Sequence, residues 1–261
     1  MIERERHRVI LAAVEARPVA TVGQLVEVTG ASEATVRRDV AALDRLGRLR
    51  RVRGGVEALA PPPPPLSGRP WAVNAAENVR EKRAIARAAA ALCEDGEAVI
   101  VNGGTTTFQM VHPLEGRRLQ VLTNSFPIAA HLLQRSRSTV LMPGGTVYRE
   151  QQIVLSPFAD DVTRHFLARR MFMGAHGIGP FGLTETDPLL IQAEERLIGQ
   201  AEELVVLVDA TKFGRRGSLL LRPLDRVGTV VTDDRVEDRH AQAVEAAGVR
   251  LLVVTPEGRH G

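Results

Sequence analysis

Cysteine, lysine and aromatic residues are scarce in this chain of 261 residues: Cys93 is the only thiol, Lys82 and Lys212 stand beside 32 arginines, and Phe, Tyr and Trp make up 3%. A single cysteine excludes an internal disulfide and any zinc site built on paired thiolates, and it fits a reducing compartment. The seven histidines are scattered without ligand spacing, so neither a metal site nor a cofactor is expected. No apolar stretch reaches the roughly 18 residues that a bilayer crossing needs, and no early apolar run resembles a secretion signal. A cytoplasmic protein without a membrane partner is expected.

What the chain has instead is arginine, unevenly placed. Residues 1–60 hold 11 arginines against 8 acidic residues, while residues 61–261 balance at 23 against 23, so the formal excess of +3 lies wholly in the first part. Five arginines and no acid fall between Arg45 and Val56. A local basic patch is the footprint of phosphate contacts, whereas spread charge serves solubility. A solvated charged helix face is the alternative, and the neighbouring helices weigh against it.

Glu3 to Ala16 carries Val9, Ile10, Ala13 and Val14 at helical period until Arg17-Pro18 stops it. Thr21 caps a shorter helix with Val22, Leu25 and Val26, and Gly30, Ala31 and Ser32 make a turn into a third helix. There Ser32 is the N-cap, and Val36, Val40 and Leu43 recur at i, i+4, i+7, which leaves Thr35, Arg37 and Arg38 on other faces. Gly47 ends that helix, and Leu49 to Val56 with Gly54-Gly55 predicts a two-stranded wing carrying Arg50, Arg51 and Arg53. Helix-turn-helix spacing followed by a basic wing predicts a reader of double-stranded DNA. Ser32, Thr35, Arg37 and Arg38 are the candidates for bases or phosphates, and Arg50, Arg51 and Arg53 for the backbone.

This first domain is expected over residues 1–59. Pro61 to Pro65 predict a semi-rigid polyproline spacer within a linker over 60–73, and residues 74–261 form a second domain. Asn74 to Leu92 reads as one helix with Ile85, Ala88, Ala89 and Leu92 on a common stripe. Short β-branched runs then alternate with helical segments, the signature of a mostly parallel α/β sheet covered on both faces. The strands expected are Ala98–Val101, Gln120–Thr123, Thr139–Met142, Met171–Gly174, Leu204–Val208, Thr229–Thr232 and Arg250–Val254. Helices are expected at Pro127–Leu133, Phe158–Leu167, Leu189–Ala201 and Val236–Ala246.

Ligands of open α/β sheets sit outside the carboxyl ends of the strands, so the turns there carry the functional reading. Asn102, Gly103, Gly104, Thr105, Thr106 and Thr107 follow the first strand, Thr123, Asn124 and Ser125 the second, and Pro143, Gly144 and Gly145 the third. Glycine-rich turns and threonine hydroxyls suit phosphate oxygens, although such turns also contain Gly, Thr and Asn for geometric reasons. Asp209-Ala210-Thr211-Lys212-Phe213-Gly214 ends a fourth strand. A lysine retained in so arginine-biased a chain suggests a need for a compact ammonium, and Asp209 beside it binds sugar hydroxyls, forms an ion pair or caps the next turn. Glu185, Asp187 and Glu194 are carboxylates near the expected rim, each equally open to a solvated or capping role.

In this order, Thr35 to Val40, the Arg-Gly-Gly wing and the Gly-Gly-Thr-Thr, Thr-Asn-Ser, Pro-Gly-Gly and Asp-Ala-Thr-Lys-Phe-Gly turns resemble the DeoR family of bacterial repressors over about residues 1–255. The resemblance implies a winged helix-turn-helix joined to a sensor similar to ribose-5-phosphate isomerase and glucosamine-6-phosphate deaminase. It also implies a phosphorylated sugar or sugar acid as effector and a homodimer or homotetramer on DNA. Gly104, Thr105, Thr106, Thr123, Asn124, Gly144, Gly145, Glu194, Asp209 and Lys212 fall on the family's pocket positions. Val101 to Phe108, Leu155-Ser156-Pro157, Gly182 to Asp187 and Gln192 to Glu195 look most like the family's ascorbate-utilisation branch, which implies L-ascorbate 6-phosphate. Many members carry Asp where this chain has Asn102, and the uncharged amide removes one repulsion from an acidic ligand. The competing reading is a sugar-phosphate isomerase or deaminase with a DNA-binding arm, its base Glu194 or Asp209 and its cation Lys212. Asn102 cannot act as a base, and a sensor needs only to bind, so a non-enzymatic regulator is expected.

Overall fold

In a computed structural model, residues 2–15, 19–58, 71–158 and 160–257 are described, and the chain separates into two compact units, residues 1–65 and 66–261. In the first unit, α1 (Glu3–Glu15), α2 (Val22–Thr29) and α3 (Glu33–Arg45) precede an antiparallel hairpin of β1 (Leu49–Val52) and β2 (Gly55–Ala58). Its core is Ile10, Val14, Leu25, Val36, Val40, Leu43, Leu49 and Val56, so the apolar stripe of α3 is buried as its period requires. Thr21 and Gln24 form a capping box at α2, Gly30 ends that helix at φ +63°, and Ser32 caps α3 by accepting from the Thr35 amide at 3.3 Å. Arg17-Pro18, expected to stop the first helix, lies outside the described residues.

One buried residue of α3 breaks the apolar pattern. Asp39 accepts from Arg6 Nε at 2.7 Å and Nη2 at 3.2 Å, and it lies 3.3 Å from His7 Nε2. Burial pushes this carboxyl up, but the Arg6 hydrogen bond and charge, with His7, outweigh burial and hold it below the usual aspartate value. The bond ties α1 across α3 and fixes the face that α3 presents outward.

The second unit opens with α4 (Trp71–Ala76) and α5 (Val79–Ala90), where one helix over 74–92 was expected. Asn78 takes a left-handed φ of +50°, which no continuing helix accepts, and its amide donates to Asp209 Oδ1 at 3.2 Å. Trp71 to Val73 are therefore helical rather than linker, while residues 60–70, including Pro61 to Pro65, lie outside the described residues.

The chain continues through β3 (Ala98–Val101), α6 (Thr105–Phe108), α7 (Val111–Leu114), β4 (Gln120–Leu122), α8 (Phe126–Arg135) and β5 (Thr139–Leu141). There follow β6 (Thr146–Tyr148), β7 (Ile153–Leu155), β8 (Ala168–Met173), β9 (Gly177–Gly179), β10 (Gly182–Glu185) and α9 (Pro188–Ile198). Last come β11 (Ala201–Leu207), β12 (Leu219–Arg222), β13 (Thr229–Asp233), α10 (Asp238–Ala246) and β14 (Arg250–Val254). Seven strands form one parallel sheet in the order β14-β13-β11-β8-β3-β4-β5, each expected strand contributing one. Successive residues feed opposite cores: Ile100, Met171 and Val206 pack with Leu197 of α9 and Val244 of α10. Val99, Val101, Phe172 and Val205 pack with Ile85 and Ala89 of α5 and Ile128 and Leu132 of α8. Cover on both faces is why these strands read as unbroken apolar runs.

Strand order reverses once. The chain enters at β3, moves to one edge through β4 and β5, and then returns to β8 on the other flank of β3 before moving to β14. Two antiparallel additions flank this frame, the β6–β7 hairpin and a small sheet ordered β12-β10-β9. The helix expected over Phe158 to Leu167 is absent, leaving a short 3-10 turn at Val162–His165 that Asp161 caps through the Thr163 amide at 2.8 Å. Val162 and Phe166 reach the core from this turn, while Phe158 and Leu167 at the two ends of the expected helix are exposed, so burial does not reward extending the turn in either direction.

Candidate functional site

The crevice opens where the strand order reverses, at the carboxyl ends of β3 and β8. The Asn102 amide still bonds the Phe172 carbonyl at 2.9 Å, after which the chain leaves the sheet through Gly103 and Gly104. Gly103 has no room for a side chain, since a Cβ there would lie 2.3 Å from Ile153 Cγ2, and its amide donates to Asn124 Oδ1 at 2.8 Å. This contact joins the turns after β3 and β4. Asn102, Gly103, Gly104, Thr105, Thr106 and Asn124 form one wall of a cavity, with Glu194 of α9 and Lys212 of the turn after β11 opposite the turn residues in sequence but on the same lining.

Other expected residues stand behind or outside that wall. The Thr107 hydroxyl donates to the Gly104 carbonyl at 3.0 Å, and Thr123 Oγ1 accepts from the buried Ser125 amide at 3.1 Å, so these three shape the turns from behind. Gly144 and Gly145 are exposed and away from the lining. Gly145 is there for close approach, because a Cβ would lie 2.2 Å from the Leu155 carbonyl across the β6–β7 ladder. Buried Asp209 caps the following turn by accepting from the Thr211 amide at 3.1 Å, as well as from the Thr211 hydroxyl and Asn78. It lines a second, polar pocket that shares Asn74, Lys212 and Arg215 with the first and adds Lys82.

Sequence reasoning missed Trp71, Asn74, Lys82, His176 and Arg215. The strand-end rule applied to Gly174-Ala175-His176 after β8 would have found His176, and Lys82 was the other of two lysines. Trp71 carried no signal, because it fell in the expected linker. The structure also draws His112 and His131, far apart in sequence, around Glu115, whose Oε1 lies 3.7 Å from His112 Nδ1 and 2.7 Å from His131 Nε2.

Opposed charges set the character of the crevice. Asn102 Nδ2 donates to Glu194 Oε1 at 3.0 Å, while Asn102 Oδ1 and Glu194 Oε2 are buried without a partner. Burial, with the nearby Glu185 and Asp187 charges, pushes the Glu194 carboxyl up to about 8 against the smaller opposing effect of Asn102. Near neutral pH it is therefore mostly protonated and able to donate. Buried Lys82 gives its ammonium to the Asn74 carbonyl, and desolvation pulls it below the usual lysine value despite Asp209. Burial, with Arg215 and Lys212, likewise holds His176 down against Glu185. Cations at Lys212 and Arg215 suit an anionic group, and the Asn102–Glu194 pair suits hydroxyls, which both donate and accept.

In the first unit, α3 and the wing flank a groove lined by Arg37, Val40, Arg51, Val52 and Gly54. Ser32 and Thr35 share a hydroxyl bond at 2.9 Å, and Arg37 pairs with Glu33 at 2.6 Å. Arg50 pairs across the wing with Glu57 at 2.5 Å, whereas Arg38, Arg51 and Arg53 are exposed with no ion pair among the described residues. Surface pairs of this kind are worth about 0–1 kcal/mol, so phosphate can replace Glu33 or Glu57 at little cost.

Glu194 yields a stability test. Unfolded, its carboxyl titrates near the usual glutamate value of about 4.3, and folded near 8, so between those values the folded state holds the extra proton and stability falls as pH rises. Thermal unfolding followed by the fluorescence of Trp71, the only tryptophan, should show the melting temperature dropping from pH 5 to pH 8. Glu194→Gln should flatten that slope, and equal slopes in both proteins would remove Glu194 as its source.

Known proteins resemble the two units in sequence. The DeoR-like helix-turn-helix domain family matches residues 6–61, and the DeoR C terminal sensor domain family matches residues 77–234. The HTH-type transcriptional regulator UlaR of Escherichia coli (strain K12 / DH10B) and that of Shigella dysenteriae serotype 1 (strain Sd197) are each 34% identical over 254 residues, spanning 97% of this chain and 100% of theirs. Among solved structures, ribose 5-phosphate isomerase A from Methanocaldococcus jannaschii aligns at a TM-score of 0.38 and 18% identity over 51% of this chain and 53% of that one. The eIF2B beta chain from Chaetomium thermophilum aligns at 0.40 and 15% identity, over 58% and 48%. With a basic helix-turn-helix and a sensor sheet matched in order along one chain, this protein belongs to the DeoR family of transcriptional regulators, with a C-terminal sensor domain.

Proposed function

We propose that this protein is a cytoplasmic repressor of a carbohydrate-utilisation operon, bound to its operator as a homodimer or homotetramer and controlled by a phosphorylated sugar or sugar acid. The observation that carries the proposal is the crevice at β3 and β8, where Lys212 and Arg215 offer charge to an anion and the Asn102–Glu194 pair offers partners to hydroxyls. The similarity to UlaR supports L-ascorbate 6-phosphate as the first effector to try. Asn102, Gly103, Gly104, Thr105, Thr106, Asn124, Glu194 and Lys212 contact it, Asp209 orders the turn that presents Lys212, and Thr107, Thr123 and Ser125 hold the turns in shape. Gly144 and Gly145 have no part in binding. We take the pocket to bind without turnover, and the names of the relatives, which are transcriptional regulators, support that reading.

On the DNA side, Ser32, Thr35, Arg37 and Arg38 face bases or phosphates, and Arg50, Arg51 and Arg53 face the backbone. Replacing the three wing arginines by Ala should weaken binding at every sequence and lower the slope of log affinity against log salt by roughly 2–3, at about 0.9 per lost phosphate contact. An unchanged slope in fluorescence anisotropy would take the wing out of the contact set. For the pocket, Lys212→Ala should keep operator affinity within about twofold and lose the response to L-ascorbate 6-phosphate, because the cation contacts effector and not DNA. A normal response in that variant would refute the pocket assignment.

A further inference from the structure

We propose that Trp71 contacts the effector and selects for an oxygen-bearing ligand, and that α4, the helix carrying it, is the element that effector binding repositions. The inference rests on the sugar-phosphate reading of the crevice and adds a residue and an element to it. Trp71 and Asn74, three apart and so neighbours on α4, both line the cavity at β3 and β8. The Trp71 indole N–H is buried and has no acceptor among the described residues. Five buried side-chain polar atoms lack partners among the described residues, and three of them, Trp71 Nε1, Asn102 Oδ1 and Glu194 Oε2, belong to residues on this lining. Native folds satisfy nearly all such groups, and those left over in a cavity wall are satisfied by what the cavity binds. A donor, an acceptor and a protonated carboxyl together match the oxygens of a polyhydroxylated ligand, each of which accepts and donates.

The way α4 is held links the anion to this helix. At six residues it is too short to be stable alone. It is fixed by the Trp71 amide on the Glu150 carbonyl at 2.9 Å, by the indole edge-on to Phe108 with ring centres 5.4 Å apart, and by the Lys82 ammonium on the Asn74 carbonyl. Lys82 lies in the polar pocket with Lys212 and Arg215, so an anion arriving there competes with Asn74 for the ammonium. Because the indole N–H is sealed, a ligand oxygen meets it only when the indole or α4 shifts. In sequence α4 is the first described helix after the proline run.

Trp71 is the only tryptophan, which lets the full-length protein report on itself. Wild type is screened by thermal shift and calorimetry against L-ascorbate 6-phosphate, glucosamine 6-phosphate and ribose 5-phosphate, and each binder is then titrated while Trp71 emission is followed. The expected result is a saturable emission change with the calorimetric midpoint. Trp71→Phe, which keeps a ring against Phe108 and loses the N–H, should bind about three- to tenfold more weakly at an unchanged melting temperature. Binding with unaltered Trp71 emission, or equal affinity in Trp71→Phe, overturns this inference and leaves the sugar-phosphate reading standing. If none of the three compounds binds wild type, the sugar-phosphate reading falls, and this inference with it. The emission titration needs no variant, so misfolding of Trp71→Phe would not prevent a decision.

Discussion

Two neighbouring parallel strands whose onward connections leave in opposite directions must open a gap at their carboxyl ends, and in this protein those strands are β3 and β8. The gap is a consequence of chain order, and it dictates which residues can meet. Turns after β3, β4, β8 and β11 all exit on that edge, so Asn102, Asn124, His176 and Lys212 converge from segments that span more than a hundred residues. The sheet behind them is apolar on both faces and holds the turn residues rigidly, as a binding site needs.

Within the gap, charge is arranged so that one carboxyl stays neutral. Glu194 shares its surroundings with Glu185 and Asp187, and Asp187 is committed to capping α9 through the Leu189 amide at 2.8 Å and to accepting from the Tyr148 hydroxyl at 2.7 Å. The residual repulsion, added to burial, keeps a proton on Glu194 near neutral pH, and the amide of Asn102 tolerates either form. The crevice thus presents a donor at Glu194 and cations at Lys212 and Arg215, with its acidic character reduced beside them. The DNA-reading surface follows a parallel logic. Arg37 and Arg50 are held in place by the weak surface partners Glu33 and Glu57, in pairs of the strength that a competing anion displaces.

Much of this was legible in the sequence because local physics dictated it. Helix caps at Thr21 and Ser32, the left-handed Gly30 and the i, i+4, i+7 stripe of α3 are local signals, and strands buried on both faces announce themselves as apolar runs. Turn residues at strand ends were legible because any open parallel sheet places them at the same edge. What escaped depended on partners distant in sequence. Asn78 breaks a helix-like stretch because it reaches Asp209, and Asp39 is buried because Arg6 and His7 come to it. Three-residue strands such as β6 and β7 are too short for a period to register. A glycine required for close approach, as Gly145 is against the Leu155 carbonyl, is written with the same letter as one required to bind an anion. Trp71 escaped because a six-residue helix beside a proline run has no pattern of its own.

We propose that occupancy of the crevice at β3 and β8 governs DNA binding by α3 and the wing. The most direct measurement is the affinity of the full-length protein for a labelled duplex from upstream of its own gene, at fixed salt, with and without saturating L-ascorbate 6-phosphate. A change of tenfold or more, corresponding to about 1.4 kcal/mol of coupling, is the predicted result. The same affinity with and without a ligand that calorimetry shows to be bound would contradict it.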